Sequence, residues 1–227
     1  MKISYLVTTH NETKELAKLL EQLVNNILCK KIDDELVILD DHSNNAATVA
    51  VLEETAKVPF VRVIQHELGK DFGAHKTYGS RQCNGEFIMQ LDADEYLAPI
   101  LLDNIHDIVD MNPVVELYRV PRVNIVRGLT PDDAKRWGWR VTHLEGFGNL
   151  PIINWDCGDY QSRLYKNDER IKWHKRLHET ITGASVTTEL PLDPNLAIIH
   201  DKTIERQTQQ NMRYMKEWSL LENQGRE

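Results

Sequence analysis

Apolar residues in the first hundred positions alternate between two periods. Ile3–Thr8 is a short β-rich run. Leu16, Leu19, Leu20, Leu23 and Ile27 then recur at helical spacing behind Asn11 and Glu12, which can open a helix. Glu35–Asp40 reads as a second strand, followed by the polar turn Asp41–Asn45 and a helix over 46–56. Val61–Gln65 is a third strand, helical pattern returns near Ala74–Cys83, and Glu86–Leu91 is a fourth strand. That order of apolar strands and helices predicts a parallel sheet covered on both faces. Right-handed crossovers put every strand's carboxyl end on one edge. Thr8 to Glu12, Asp40 to Ser43, Gln65 onward and Asp92 to Asp94 therefore share the edge where open α/β sheets bind ligands.

The texture changes after Pro99. A helix over about 101–111 precedes a strand over 114–126, and 127–149 reads as a long irregular segment carrying Gly128, Pro131, Gly138, Gly146 and Gly148. Such loops are usually functional or mobile. Gln161–Lys166 reads as a strand, and Met212, Met215 and Trp218 mark a helix in the tail. The expected organisation is a ligand-binding half over 1–112, a second half of the same domain over 113–202, and a carboxyl-terminal helix over 203–227.

Composition narrows the setting. With 227 residues, 41% hydrophobic and 27% charged, the chain has the makeup of a soluble globular protein. No apolar run approaches the roughly 20 residues that cross a bilayer. The amino terminus enters a strand without signal-peptide layout, and three distant cysteines (Cys29, Cys83, Cys157) read as free thiols. These features predict a cytoplasmic protein. The net charge of −8 is uneven: residues 1–112 carry 10 Lys/Arg against 19 Asp/Glu, and residues 113–182 carry 12 against 9. The basic stretch holds Trp137, Trp139, Trp155 and Trp173. It is either a surface for an anionic or ring-bearing partner, or a tryptophan core under a solvated charged face.

The candidate chemistry centres on Asp92 and Asp94, two residues apart at the end of the fourth strand. Residues two apart in a strand point the same way, so two carboxylates can converge on one point. Hard oxygen pairs suit Mg²⁺ or Mn²⁺ carrying a phosphorylated ligand. The alternative is an ordinary polar turn.

Several motifs in order carry a resemblance: Leu6-Val-Thr-Thr-His-Asn-Glu12, Leu36-Val-Ile-Leu-Asp-Asp-His-Ser43, Asp71-Phe-Gly-Ala-His-Lys76 and Gly85-Glu-Phe-Ile-Met-Gln-Leu-Asp-Ala-Asp-Glu95. Together they resemble inverting family 2 glycosyltransferases of the GT-A fold, a Rossmann-like, mostly parallel twisted α/β sheet flanked by helices with a smaller acceptor-side subdomain. The resemblance covers roughly residues 1–100. It implies that Thr8, His10 and Glu12 contact the nucleotide and that Asp41 accepts the N3–H of uracil, an N-cap or Asx turn being Asp41's alternative role. It implies that Asp94 binds a divalent metal while Asp92 touches metal, its water or ribose, and that His200 closes the metal site. Lys76 and Arg81 are candidates for phosphate or donor hydroxyls. Trp173-His-Lys-Arg-Leu-His-Glu179 resembles the Trp-x-x-x-x-His-Glu element of bacterial members acting on surface sugars, which implies Glu179 as general base. The family commonly has Glu-Asp there and this chain has His178-Glu179, so Asp159 stands as the rival; a structural alternative pairs both carboxylates with Arg163, Lys175 or Arg176.

The expected function is metal-dependent transfer of a sugar from a UDP-sugar to an acceptor hydroxyl with inversion. Two acceptor classes fit: a saccharide, or DNA carrying hydroxymethylated cytosine, which the basic aromatic segment (Arg119, Arg122, Arg127, Lys135, Arg136, Arg140, Trp137, Trp139) would track. A nucleotide-sugar-binding module without a working base is the non-enzymatic alternative.

Overall fold

The computed structural model describes residues 1–212. In chain order the elements are β1 (Ile3–Thr9), α1 (Lys14–Lys30), β2 (Glu35–Asp40), α2 (Ala46–Thr55), β3 (Val61–Gln65), α3 (Phe72–Ser80), β4 (Phe87–Asp92), β5 (Glu95–Leu97), α4 (Pro99–Asp110) and β6 (Leu117–Arg127). There follow α5 (Pro131–Trp137), β7 (Val141–Thr142), β8 (Ile152–Ile153), β9 (Tyr160–Lys166), β10 (Lys172–His174), β11 (Thr180–Thr182), β12 (Thr187–Glu189) and β13 (Ile198–Thr203). The chain forms two compact units, Met1–Arg122 with Tyr160–Ile198, and Val123–Asp159 with the described residues from Ile199 onward. This division interleaves the two halves expected from the sequence, because β9 to β12 return to the first unit.

In the first unit the strand order runs β3-β2-β1-β4-β9-β6, with β12 beside β6. β1 pairs in parallel with both β2 and β4, and β2 in parallel with β3. The chain thus builds outward from β1 to β3 and then crosses back to lay β4 on β1's other side. The gap between the carboxyl ends of β1 and β4 is therefore a topological switch point, with Thr8 in register beside Asp92. β9 pairs antiparallel with β4 and with β6, so the sheet is mixed rather than wholly parallel. The chain between β4 and β9 is long and includes α4, β6 and α5, so β9 reaches β4 only after β6 has been laid down.

Burial follows the sequence pattern. Every residue of β2 is buried, as a strand covered on both faces requires. Leu16, Leu19, Leu20, Leu23 and Ile27 form the buried stripe of α1. Asn45 caps α2 through Ala47 N and Thr48 N, and Asp71 caps α3 through Ala74 N. Helix α3 lies close on the sheet because Gly79 has no side chain: a Cβ there would stand 2.9 Å from Leu6 Cδ1 and 3.0 Å from Leu39 Cδ2. The core beneath it gathers Leu6, Val37, Leu39, Ile88, Tyr165 and Trp173.

In the second unit β8 pairs antiparallel with the end of β6 (Asn124↔Ile153) and with β7. Helix α5 lies inside the stretch expected to be irregular. A capping box at Thr130 and Asp133, with Pro131 at the first position, starts it, and Gly138 at φ 66° ends it. The expected tail helix begins at 204 and is helical through 212; Met215 and Trp218 lie outside the described residues. Among the described residues, no helix is long and apolar enough to cross a membrane.

Candidate active site

Asp92, at the carboxyl end of β4, is the hub of a charge network within the first unit. Its Oδ1 accepts from Thr8 Oγ1 (2.9 Å) and Gln90 Nε2 (3.0 Å) and lies 3.1 Å from Lys76 Nζ. Its Oδ2 accepts from Arg163 Nη2 at 2.7 Å. Burial alone would raise this carboxyl, but the adjacent Arg163 and Lys76 charges, with hydrogen bonds from Arg163 and Gln90, hold it well below the usual carboxylate range. Arg163, 3% exposed, also donates to Glu95 Oε1 at 2.9 Å and to Gln90 Oε1. Glu95 in turn receives Arg122 at 3.3 Å and accepts from Asp92 N at 3.0 Å. Three carboxylates (Asp92, Glu95, Glu179) face three cations (Lys76, Arg122, Arg163), so the cluster is balanced, as burial of charge demands.

Lys76 joins the two halves of the chemistry predicted from sequence. Its side chain is 3% exposed, and Nζ donates to Glu179 Oε1 at 2.5 Å while facing Asp92. It also lies 4.9 Å from the centre of the Trp173 ring. The residue expected to meet phosphate or donor hydroxyls thus ties the β4 terminus to Glu179.

Glu179 is held by a hairpin docked on α3. Strands β10 and β11 pair antiparallel, and the loop between them carries Lys175 and His178 at φ 74° and 52°. Trp173 fixes the hairpin: its backbone N donates to Thr77 Oγ1 (3.0 Å), Thr77 Oγ1 donates to Trp173 O (3.2 Å), and Trp173 Nε1 donates to Tyr165 Oη (3.0 Å). The first amides of α3 finish the dock, Phe72 N to Arg176 O and Gly73 N to Lys175 O, each 3.2 Å. Helix amino termini have such spare N–H groups. Gly73 is required by contact: a Cβ would sit 2.7 Å from Lys175 O and 3.0 Å from His174 C, both backbone. Gly73→Ala is therefore expected to cost about 1–3 kcal/mol, the range for overpacking, and to displace Glu179. Turnover should fall while UDP affinity, measured by calorimetry, changes little.

At the other side of the switch point, the β1 and β2 loops are sewn together. Asn11, at φ 54°, donates from its backbone to Ser43 Oγ (2.8 Å), and its Oδ1 accepts from Asn44 N and Asn45 N, both 2.9 Å. His10 Nδ1 donates to Asp41 O at 2.6 Å and lies 3.6 Å from Asp41 Oδ2. Asp41 Oδ1 accepts from Leu68 N at 2.8 Å, which draws the segment after β3 to the same edge. The buried Asp40 takes Ser43 Oγ and Gln65 Nε2. Thr8, His10, Glu12 and Asp41 thus line one rim of strand ends, where the sheet order predicted them.

The Glycosyl transferase family 2 model matches residues 4–184. The chain belongs to glycosyl transferase family 2. Among curated relatives, an undecaprenyl-phosphate 4-deoxy-4-formamido-L-arabinose transferase of Proteus mirabilis is 32% identical over 97 residues, covering 41% of this chain and 29% of that protein. The Pseudomonas fluorescens counterpart is 36% identical over 99 residues, covering 40% and 27%. The poly(ribitol-phosphate) β-N-acetylglucosaminyltransferase TarP of Staphylococcus aureus is 26% identical over 107 residues, covering 47% and 32%. The chain spans less than a third of the length of these three relatives. Among solved structures, S. aureus TarS aligns with a TM-score of 0.61 at 18% identity, over 88% of this chain and 37% of that one. A TarS fragment in complex with UDP-GlcNAc aligns with a TM-score of 0.56 at 17% identity, over 89% of this chain and 59% of that one. The fold is thus that of the GT-A glycosyltransferases, as the motifs implied.

Other residues expected from the family 2 pattern have surroundings of their own. Asp94 is half-buried beyond the end of β4. Asp159 and His200 belong to the second unit, where Asn124 joins them: its Nδ2 donates to Asp159 Oδ2 at 2.6 Å, and its Oδ1 accepts from His200 Nδ1 at 3.1 Å. Arg81 spends its guanidinium on the carbonyls of Asp168, Glu169 and Ile171, clamping the turn between β9 and β10. Neither Lys175 nor Arg176 is the partner of Glu179; Lys76 is. Arg163, Gln90 and Glu95 complete the network and were not among the expected site residues. The basic aromatic stretch resolves into separate pieces. Trp155 and Trp173 are buried, while the half-buried Trp137 and Trp139 meet at 4.6 Å in the second unit. Arg119 pairs with Glu189, Arg122 with Glu95, Arg127 with Asp201 and Arg136 with Asp133.

Proposed function

We propose that this chain is the catalytic domain of a glycosyltransferase that moves a sugar from a UDP-sugar to an acceptor hydroxyl with inversion. The observation that carries the reading is Lys76, which links Asp92 at the β1/β4 switch point to Glu179 on the docked hairpin. A nucleotide donor on the switch-point rim and a base beside it are the two halves such a transfer needs. The UDP-GlcNAc complex of the structurally similar TarS fragment supports UDP as the carrier, and the proposal directs uracil N3–H to Asp41.

In the proposed reaction Glu179 takes the proton of the acceptor hydroxyl. The freed oxygen attacks the anomeric carbon from the side opposite UDP. The bond from that carbon to the phosphate oxygen breaks, and UDP leaves with the electron pair. Attack from the opposite side inverts the centre.

A divalent ion, Mn²⁺ or Mg²⁺, belongs to the proposal as the group that offsets charge on the departing diphosphate. Asp92 fits poorly as its ligand, because both oxygens already face Lys76 and Arg163. The proposal assigns the ion to Asp94, half-buried two residues beyond Asp92, and such ions are commonly held by one or two carboxylates together with phosphates and water. Among the described residues, no three His, Cys, Asp or Glu are grouped to hold a metal by themselves. The residues present thus suit an ion that arrives with its diphosphate, with Asp94 contributing from the protein.

The test is UDP release from a panel of UDP-sugars with Mn²⁺, with and without EDTA. UDP donors should turn over, and EDTA should abolish the turnover while UDP binding weakens. Turnover with other nucleotide sugars and none with UDP donors would overturn the donor assignment.

A further inference from the structure

A cavity of about 420 Å³ opens in the first unit beside Glu179. Arg119, Tyr160, Arg163, Trp173, Glu179 and Thr187 are among its lining residues, drawn from β6, β9, the β10–β11 hairpin and β12. Its size lies in the range of small-molecule sites, roughly 300–1,000 Å³. No role in the donor half explains it: Asp41, His10 and Asp94 are not among its lining residues.

The charges of the lining are already matched. Arg119 pairs with Glu189, Arg163 with Asp92 and Glu95, and Glu179 with Lys76. An anionic ligand would find no cation without a partner in this set, and recognition of phosphate relies on such cations. Hydrogen-bonding capacity, by contrast, is left over. Glu179 uses Oε1 for Lys76 and has lone pairs remaining on Oε2. That spare acceptor matches a hydroxyl group, which can donate to it, whereas phosphate oxygens only accept. Ser162, Thr180 and Thr187 add hydroxyls, and Tyr160 and Trp173 add aromatic surface. Apolar rings with a few placed polar groups form the usual lining of a site for a small polar ligand.

We infer that this cavity receives the acceptor, and that the group it takes is an uncharged polyhydroxylated ring, a sugar presented with one hydroxyl at Glu179. The inference rests on the transferase reading for the role of that hydroxyl. It separates a neutral saccharide from a phosphate-bearing polyol and from hydroxymethylated DNA.

Saturation-transfer NMR on the full chain tests it with four kinds of probe. These are the methyl β-glycosides of glucose, galactose and N-acetylglucosamine; ribitol 5-phosphate; a short duplex containing hydroxymethylcytosine; and UDP. Thr187→Trp, on the exposed strand β12, fills the cavity from its rim, and retained UDP binding shows that the variant is folded. At least one glycoside should receive saturation from the wild type and lose it in Thr187→Trp, with UDP binding unchanged. The inference is overturned if the glycoside signal survives Thr187→Trp. It is equally overturned if ribitol 5-phosphate or the duplex is the probe that Thr187→Trp displaces, or if UDP binds and no glycoside does. Failure of UDP to bind the wild type would overturn the donor reading alone, since the glycoside signals still judge the cavity.

Discussion

Arg163→Met is expected to destabilise the protein by about 3–5 kcal/mol, the cost of removing one partner from a buried ion pair. At roughly 2–4 °C per kcal/mol for a chain of this size, the melting temperature should fall by about 6–20 °C. Arg163 is 3% exposed, and its guanidinium satisfies Asp92, Glu95 and Gln90 together. Without it, Glu95, whose side chain is 1% exposed, keeps Arg122 at 3.3 Å and loses the closer of its two cations. Asp92 would keep Lys76, so the larger share of the loss falls on Glu95. That division can be measured. Arg163→Met/Glu95→Met removes both the cation and its most buried partner, and should recover a substantial part of the stability. Thermal and urea unfolding of the two variants checks it. A double variant no more stable than the single would mean that packing around Arg163, not its charge, dominates.

The α/β order was legible because each of its strands and helices is long enough to show its period. One consequence of that order was also legible without coordinates, the shared edge of strand ends that holds both Thr8 and Asp92; their adjacency came only with the strand order. Strand β5 and hairpin β10–β11 consist of three-residue strands, which carry no periodic signal. Helix α5 did leave one, since Thr130-Pro-Asp-Asp133 is a capping box with proline at the first position, and the surrounding glycines obscured it. The ion pairs were the least legible part. Lys76 and Glu179 are 103 residues apart in sequence, and Arg163 and Asp92 are 71 apart. Strand parity offered a hint for Arg163, which shares a strand face with Tyr165 two positions on and so is directed inward with it. An inward arginine needs carboxylates, but parity does not say which. Gly73 was read as part of a motif; its physical requirement, backbone carbonyl and carbon within 3.0 Å of a missing Cβ, exists only in the folded hairpin dock.

Glu179→Gln is expected to reduce turnover by about 10²–10⁴, the contribution of a positioned general base, with UDP affinity unchanged. The substitution is mild for the fold. Glutamine retains a carbonyl oxygen that can accept from Lys76 Nζ, where Glu179 Oε1 now accepts at 2.5 Å. Lys76 also keeps its contact with Asp92, so the cation is not left without a carboxylate. What the amide loses is the capacity to take a proton, which makes the variant a test of chemistry more than of architecture. Parallel measurements on Asp159→Asn decide between the two candidate bases. Asp159 belongs to the second unit and is held by Asn124 at 2.6 Å, with His200 on the same amide. If Glu179 is the base, Asp159→Asn should leave far more activity than Glu179→Gln. The reverse order, with Glu179→Gln active and Asp159→Asn silent, would move the base to Asp159 and leave Glu179 as the structural partner of Lys76. Full activity in both variants would leave the proposed inverting mechanism without its base, and with it the role assigned to the docked hairpin.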